Sequence, residues 1–140
     1  MNEYEGRCHC GAIGWRYRTA LVPSDWPVRS CQCTFCRSHQ TRCTSDPNGS
    51  VEFDIVEPAL LKRYSFGLRT AEFLVCSECG NYIGALATAD ETPVATLNLN
   101  VLRTPVSGLS EPDSAHYEAE DSRSRIERRK VRWTPVTRLA

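Results

Sequence analysis

The chain has 140 residues, with 17 Lys and Arg balanced by 17 Asp and Glu for a formal net charge of zero. That length argues against a multi-domain machine, and neutrality removes the electrostatic source of a general attraction to nucleic-acid backbones or anionic lipid. No apolar run approaches the roughly 18 residues of a membrane span, and Met1-Asn2-Glu3-Tyr4-Glu5 lacks the basic and apolar regions of a signal peptide. The expectation is a single domain over residues 1–140, cytoplasmic, with neither membrane nor nucleic acid as partner.

In chain order, Ile13, Trp15 and Tyr17 alternate with Gly14, Arg16 and Arg18, the two-residue period of a half-buried strand. Thr34 to Gln40 has room for one or two helical turns. Asp46-Pro47-Asn48-Gly49 predicts a turn, with Pro fixing φ and Asn-Gly supplying a positive φ, ahead of a strand at Val51, Phe53 and Ile55. Leu60 to Phe66, Ala71 to Val75 and Tyr82 to Ala87 read as further strands. The clearest alternation is at Leu97, Leu99 and Val101. Glu118 to Lys130 has the length of a helix but only Ile126 as an interior aliphatic anchor. Its acidic and then basic residues, ending in Arg125, Arg128, Arg129 and Lys130, read as a solvated and mutually paired surface. The fold class is mainly β, with antiparallel sheets and short helices.

The unusual count is eight cysteines. In a reducing compartment they point to metal ligation or redox chemistry rather than disulfides. Seven fall in three clusters: Cys8-His9-Cys10, Cys31-Gln32-Cys33-Thr34-Phe35-Cys36, and Cys76-Ser77-Glu78-Cys79-Gly80. In extended chain, residues i and i+2 face one side, so Cys8 with Cys10, and Cys31 with Cys33, can aim two sulfurs at one ion. A C-x2-C step in a tight turn does the same at Cys33/Cys36 and at Cys76/Cys79, where Gly80 supplies a left-handed backbone position.

Tetrahedral zinc takes four ligands, which Cys8, Cys10, Cys76 and Cys79 provide as two pincers. Cys31, Cys33 and Cys36 then converge on an ion of their own with three protein ligands, the arrangement of a catalytic site with an open position. Cys43 or His39 could close that second tetrahedron, against the commoner fates of a buried hydrophobe and a surface or capping residue. His9 and His116 read as polar or packing residues. Neither C-x-C pincer fits the C-x2-C-x2-C run of ferredoxins.

Gly6-Arg7-Cys8-His9-Cys10-Gly11-Ala12-Ile13, Cys31-Gln32-Cys33-Thr34-Phe35-Cys36-Arg37 and Cys76-Ser77-Glu78-Cys79-Gly80 together resemble the signature of the glutathione-dependent formaldehyde-activating enzyme family, also called the CENP-V/GFA domain. Leu61-Lys62-Arg63-Tyr64-Ser65 is similar to the family's strand before the last pincer. The resemblance covers most of the chain and implies a zinc-stabilised Mss4-like fold. It also implies two zinc ions, a structural one on Cys8, Cys10, Cys76 and Cys79 and a second on Cys31, Cys33 and Cys36. The chain departs from the family after Arg37, where Ser38-His39-Gln40-Thr41 replaces a second basic residue and a glycine, and at Val75, where an aromatic residue is common.

The implied activity is that of a carbon–sulfur lyase acting on adducts of glutathione, or a related thiol, with formaldehyde or another small aldehyde. Cys33 is the candidate catalytic residue. Glutathione carries two carboxylates, and Arg37 is the first candidate to hold them, with Arg42, Lys62 and Arg63 behind it. Two other readings stay open. One is a non-catalytic zinc module for interaction or chaperoning; the other is reductase chemistry of the methionine sulfoxide reductase B type, with Cys43 as nucleophile.

Overall fold

A computed structural model describes residues 1–140. The chain runs β1 (Asn2–Arg7), β2 (Ile13–Thr19), β3 (Arg29–Cys31), α1 (Thr34–His39), β4 (Cys43–Thr44) and β5 (Ser50–Ile55). It continues through β6 (Leu61–Tyr64), β7 (Glu72–Cys76), β8 (Tyr82–Ala89), β9 (Thr92–Asn98), β10 (Asp113–Ala115), α2 (Ser122–Arg132) and β11 (Thr134–Leu139). The mainly β expectation holds. No helix is long and apolar enough to cross a membrane.

The strands form two halves. One contains β1, β2, β5 and β11; the other contains the hairpins β6–β7–β8–β9 with β4, β3 and β10 at its far side. Strand β11 joins them, because Thr134 and Pro135 pair with β9 and Val136 to Leu139 then pair with β5. Trp15, Tyr17 and Phe53 from the first half and Leu74, Ile83 and Leu97 from the second bury their side chains in one core. The Trp15 indole N–H donates to the Ile83 carbonyl at 2.9 Å, so the polar edge of this large side chain is satisfied across the core.

The sheet is mixed rather than antiparallel throughout. Strand β11 runs parallel to β5, and β10 runs parallel to β3. Each pair is separated by a long stretch of chain, so no hairpin dictates its direction. Strand β1, the short strands β3, β4 and β10, and β11 lack the alternation that marks the others in the sequence.

Three local expectations are corrected. The alternation at Leu97, Leu99 and Val101 does not continue as a strand: β9 ends at Asn98 and Leu99–Val101 is a 3-10 turn, with the Asn98 side chain accepting from the Asn100 N–H at 3.2 Å. Leu99 and Val101 are buried all the same, so the pattern records burial rather than strand geometry. The turn at Asp46 closes, with Gly49 N–H donating to the Asp46 carbonyl at 3.0 Å, but neither Asn48 nor Gly49 takes a positive φ. Glycine is needed there for space, since a Cβ would collide with the Arg18 carbonyl oxygen.

The third correction concerns α2. It begins at Ser122 rather than Glu118, because Asp121 is the N-cap and accepts from the Ser124 N–H at 2.8 Å. Its anchor is not Ile126 alone. Arg129, 5% exposed, donates to the Thr70 carbonyl at 3.0 Å and the Thr70 hydroxyl at 2.8 Å, with its guanidinium over the Trp133 ring. The helix covers the outer face of β8 and β9, where Ala85, Ala87 and Ala89 keep the surface low.

Candidate functional site

Seven cysteines meet as two groups. Cys8, Cys10, Cys76 and Cys79 have sulfurs all within 4.8 Å of one another, and the Cys8–Cys10 and Cys10–Cys76 separations are 3.8 and 3.5 Å. A tetrahedron with metal–sulfur bonds of about 2.3 Å has sulfur–sulfur edges of about 3.8 Å, so these thiols, none of which is in a disulfide, fit a tetrahedral thiophilic ion. The tips of two hairpins supply them, from the β1–β2 and the β7–β8 connections.

Each tip is shaped by its own backbone bonds. The Cys8–Cys10 step is a turn, not extended chain, with Gly11 N–H donating to the Cys8 carbonyl at 3.0 Å. This corrects the expected alternation geometry; the turn, rather than the strand period, brings the two sulfurs together. At the other tip Gly80 has φ +81° and its N–H reaches the Cys76 carbonyl at 2.8 Å, as the C-x2-C-Gly spacing predicts. The Ile13 N–H points at the Cys8 sulfur at 3.4 Å and the Cys79 N–H at the Cys76 sulfur at 3.5 Å, which fixes both sulfurs relative to the turns. Burial works against a charged Cys79, but N–H groups of Asn81 and Cys10 and the neighbouring thiols outweigh it and lower the group to about 6.

Cys31, Cys33 and Cys36 form the second group, again with sulfurs within 4.8 Å of one another. Cys31 ends β3, Cys33 is the N-cap of α1, and Cys36 lies in the helix's first turn with its N–H donating to the Cys33 sulfur at 3.4 Å. Hydrogen bonding from Cys31 and Cys36 pushes Cys33 down to about 2, and the Cys33 sulfur in turn raises Cys31. Cys31 and Cys33, together with burial, raise Cys36. Negative charge in the trio is therefore concentrated on Cys33.

Neither Cys43 nor His39 joins the trio. The His39 ring stacks on Phe35 with centroids 4.3 Å apart, and its Nδ1 lies 3.0 Å from the Phe35 carbonyl. Burial pushes the Cys43 thiol up to about 12, so it is protonated at neutral pH and does not supply the thiolate that reductase chemistry needs. His9 and His116 are exposed and outside both groups.

The trio borders a cavity of about 450 Å³, within the usual range for small-molecule sites. Its apolar wall includes Phe66, Leu68, Phe73, Tyr82 and Trp133. Phe35 packs on Phe73 at 4.6 Å and edge-on to Tyr82 at 5.0 Å, which fixes α1, and with it Cys33 and Cys36, against β7 and β8. The polar wall holds Arg29, Arg125, Arg128 and Arg129 with Glu118 and Glu120. Arg128 is engaged by Glu120 at 3.0–3.1 Å and lies 3.6 Å above the Tyr117 ring. Burial holds Arg29 below its ordinary value, and burial followed by repulsion from Arg128 and Arg125 lowers Arg129 to about 10.

Arg37 lies elsewhere. It is exposed and lines a smaller hollow of about 230 Å³ that shares only Cys31 and Cys36 with the large cavity. Arg42 donates to Asn100, while Lys62 and Arg63 sit exposed on β6 outside both hollows. The basic wall comes instead from the segment read as a solvated surface. That reading holds for Arg123, paired with Asp90 and Glu127, and for Lys130, paired with Asp90, but not for Arg125 and Arg129. The available signal was the spacing of Arg125, Arg129 and Trp133, which places them on one stripe of a helix and its end.

Neither a family model nor a curated protein matches the sequence. Among solved structures, a Rhodobacter sphaeroides protein determined by structural genomics is similar, with a TM-score of 0.61 and 25% identity over 79% of this chain and 99% of that one. Its description names no activity.

Proposed function

We propose that the protein is a zinc-dependent enzyme of the carbon–sulfur lyase type, acting on adducts of glutathione or a related thiol with formaldehyde or another small aldehyde. The observation that carries this reading is the position of the Cys31, Cys33 and Cys36 thiols at the wall of a cavity of about 450 Å³, with no further Cys, His, Asp or Glu side chain in the group. The resemblance to the formaldehyde-activating family and its Mss4-like fold supports it, through the three cysteine motifs quoted above.

Zinc fits both groups by donor chemistry, since borderline-soft Zn²⁺ is well served by thiolates at these separations. Cys8, Cys10, Cys76 and Cys79 would hold a structural ion, and Cys31, Cys33 and Cys36 a second. When bound there, zinc supplies a site that keeps a substrate thiol ionised beside the aldehyde. Three thiolates leave that site with a net charge of −1, which favours handling of a thiolate over strong polarisation of a carbonyl. The balanced reaction adds a thiol across C=O: the S–C bond forms, and the thiol proton ends on the former carbonyl oxygen.

The chain's own groups would do the rest. Cys33, at the N-cap of α1 on the cavity wall, orients the reacting centre; the aromatic wall excludes water, and holding both partners in one cavity supplies proximity. The test is exchange spectroscopy by NMR of formaldehyde with glutathione, using metal-loaded wild type and Cys33→Ala. Acceleration by wild type that is lost in the variant is expected. An exchange rate equal to the uncatalysed one would overturn the enzyme reading and leave a non-catalytic zinc module.

A further inference from the structure

The large cavity carries more positive charge than its own residues neutralise. Four arginines line it against two glutamates and the single negative charge of the cysteine trio, and one of those glutamates is already committed to Arg128. Arg125 and Arg129 lie one helical turn apart on α2, and Arg29 enters from β3. The Nε atoms of Arg125 and Arg129 are both buried without a protein acceptor, although Arg129 is almost wholly enclosed. The Nη2 of Arg125 reaches only the Tyr117 carbonyl at 3.1 Å. Both side chains also line the cavity, and a carboxylate, whose planar pair of acceptors matches the guanidinium fork, is the ligand chemistry that such a cluster fits. Glu118 makes no hydrogen bond and has only the His116 ring near it, at 3.9 Å, so one free carboxylate also faces the cavity.

From this arrangement we infer that the cavity-facing side of α2 is the specificity-determining subsite for a small, peptide-like thiol. Arg125 and Arg129, with Arg29, receive its carboxylates, and Glu118 receives its ammonium. The thiol part of this assignment rests on the function proposed above; the anion subsite stands on the arginines alone. It moves carboxylate recognition from Arg37, on the small hollow, to the helix across the large cavity. The substrate's carboxylates would then lie at α2 and Arg29, its ammonium at Glu118 just before α2, and its sulfur toward Cys31 and Cys33.

The test is calorimetric titration of the metal-loaded protein with S-methylglutathione, which keeps both carboxylates and has no free thiol, and with its dimethyl ester. Wild type should bind the acid, and the diester should bind at least about tenfold more weakly, the loss that follows from removing a charge-assisted pair. Arg125→Met should weaken binding of the acid by about tenfold or more, while Arg37→Met and the surface change Arg18→Met leave it unchanged. Arg129→Lys retains charge but not the fork and should also weaken it. If that variant loses its fold by circular dichroism, Arg125→Met carries the test.

Equal affinity of wild type and Arg125→Met, absence of acid binding in wild type, or a loss confined to Arg37→Met would overturn the subsite. Carboxylate-dependent binding lost in Arg125→Met, without any acceleration of formaldehyde exchange by wild type, would uphold the subsite and sink the proposed enzyme. Acceleration that survives Arg125→Met unchanged would do the reverse.

Discussion

The two thiol groups use the same residue type at similar spacings, yet their surroundings differ. In the four-thiol group two hairpin tips, 66 residues apart in sequence from Cys10 to Cys76, face one another, and Cys8 and Cys76 are fully buried. The three-thiol group is local, drawn from the end of β3 and the start of α1, and one side of it opens on the large cavity. A site that joins distant segments is a cross-link whose loss frees the ends of a long loop; a site that closes on itself within a few residues contributes little to the global fold. On the proposed function, the first group would serve stability and the second chemistry.

The sharpest way to break that contrast is to disable the two groups one at a time. Cys76→Ser or chelation should abolish cooperative folding, because a structural thiolate–metal site contributes an apparent ~10–16 kcal/mol, on the scale of a whole domain's net stability. Far- and near-ultraviolet circular dichroism reads this, and an unchanged spectrum in the metal-free chain would contradict it. Cys33→Ser should instead cost one bound ion per chain while both spectra persist, as native mass spectrometry and circular dichroism together would report.

Acid should separate the groups in the same order. The thiols of Cys31 and Cys36 both stand above their ordinary value, so they hold protons at neutral pH that an ion must displace, and affinity falls as pH falls. Cys10 in the four-thiol group is also raised, and each group holds one lowered thiol, Cys33 in the trio and Cys79 in the other, so the number of donors decides the order. The trio, with one donor fewer, is expected to release metal at the higher pH. Metal-indicator titration from pH 8 downward would show two steps, and the first should be missing in Cys33→Ser.

Smaller effects come from the backbone beside each group. Gly80→Ala places a Cβ in open space but at φ +81°, so only strain is added, at about 1 kcal/mol of stability. Gln40, the C-cap of α1, already sits at φ 50°, and Gln40→Gly should relieve a strain of about 1 kcal/mol, partly offset by the greater freedom of the unfolded chain. Denaturant midpoints would therefore move in opposite directions for the two substitutions.

The cysteine pincers are legible in the sequence because C-x-C and C-x2-C spacing is a local property, and counting four ligands joins Cys8 and Cys10 to Cys76 and Cys79 across 66 residues, although the turn at Cys8–Cys10 is not what the strand period predicts. Strands with one wet face, such as β2 and β5, were legible for the same reason. Strand β11 was not, because Thr134 to Leu139 takes its partners from β9 and β5, far away in sequence, and switches between them midway. The α2 arginines were misread because pairing with nearby acidic residues suffices for Arg123 and Lys130, whereas the burial of Arg129 depends on Thr70, a tertiary partner that no local pattern announces. Adjacency to Cys36 points to Arg37 in the sequence, but the turn of α1 carries it to the smaller hollow.

The central claim is that one group is a closed clamp and the other an ion site with an open side. Metal counting by native mass spectrometry, combined with metal-edge X-ray absorption on the same metal-replete sample, tests it most directly. Two ions per chain should share seven protein sulfurs, four on one and three on the other. A single ion per chain, or two ions sharing eight protein sulfurs through recruitment of Cys43, would contradict it.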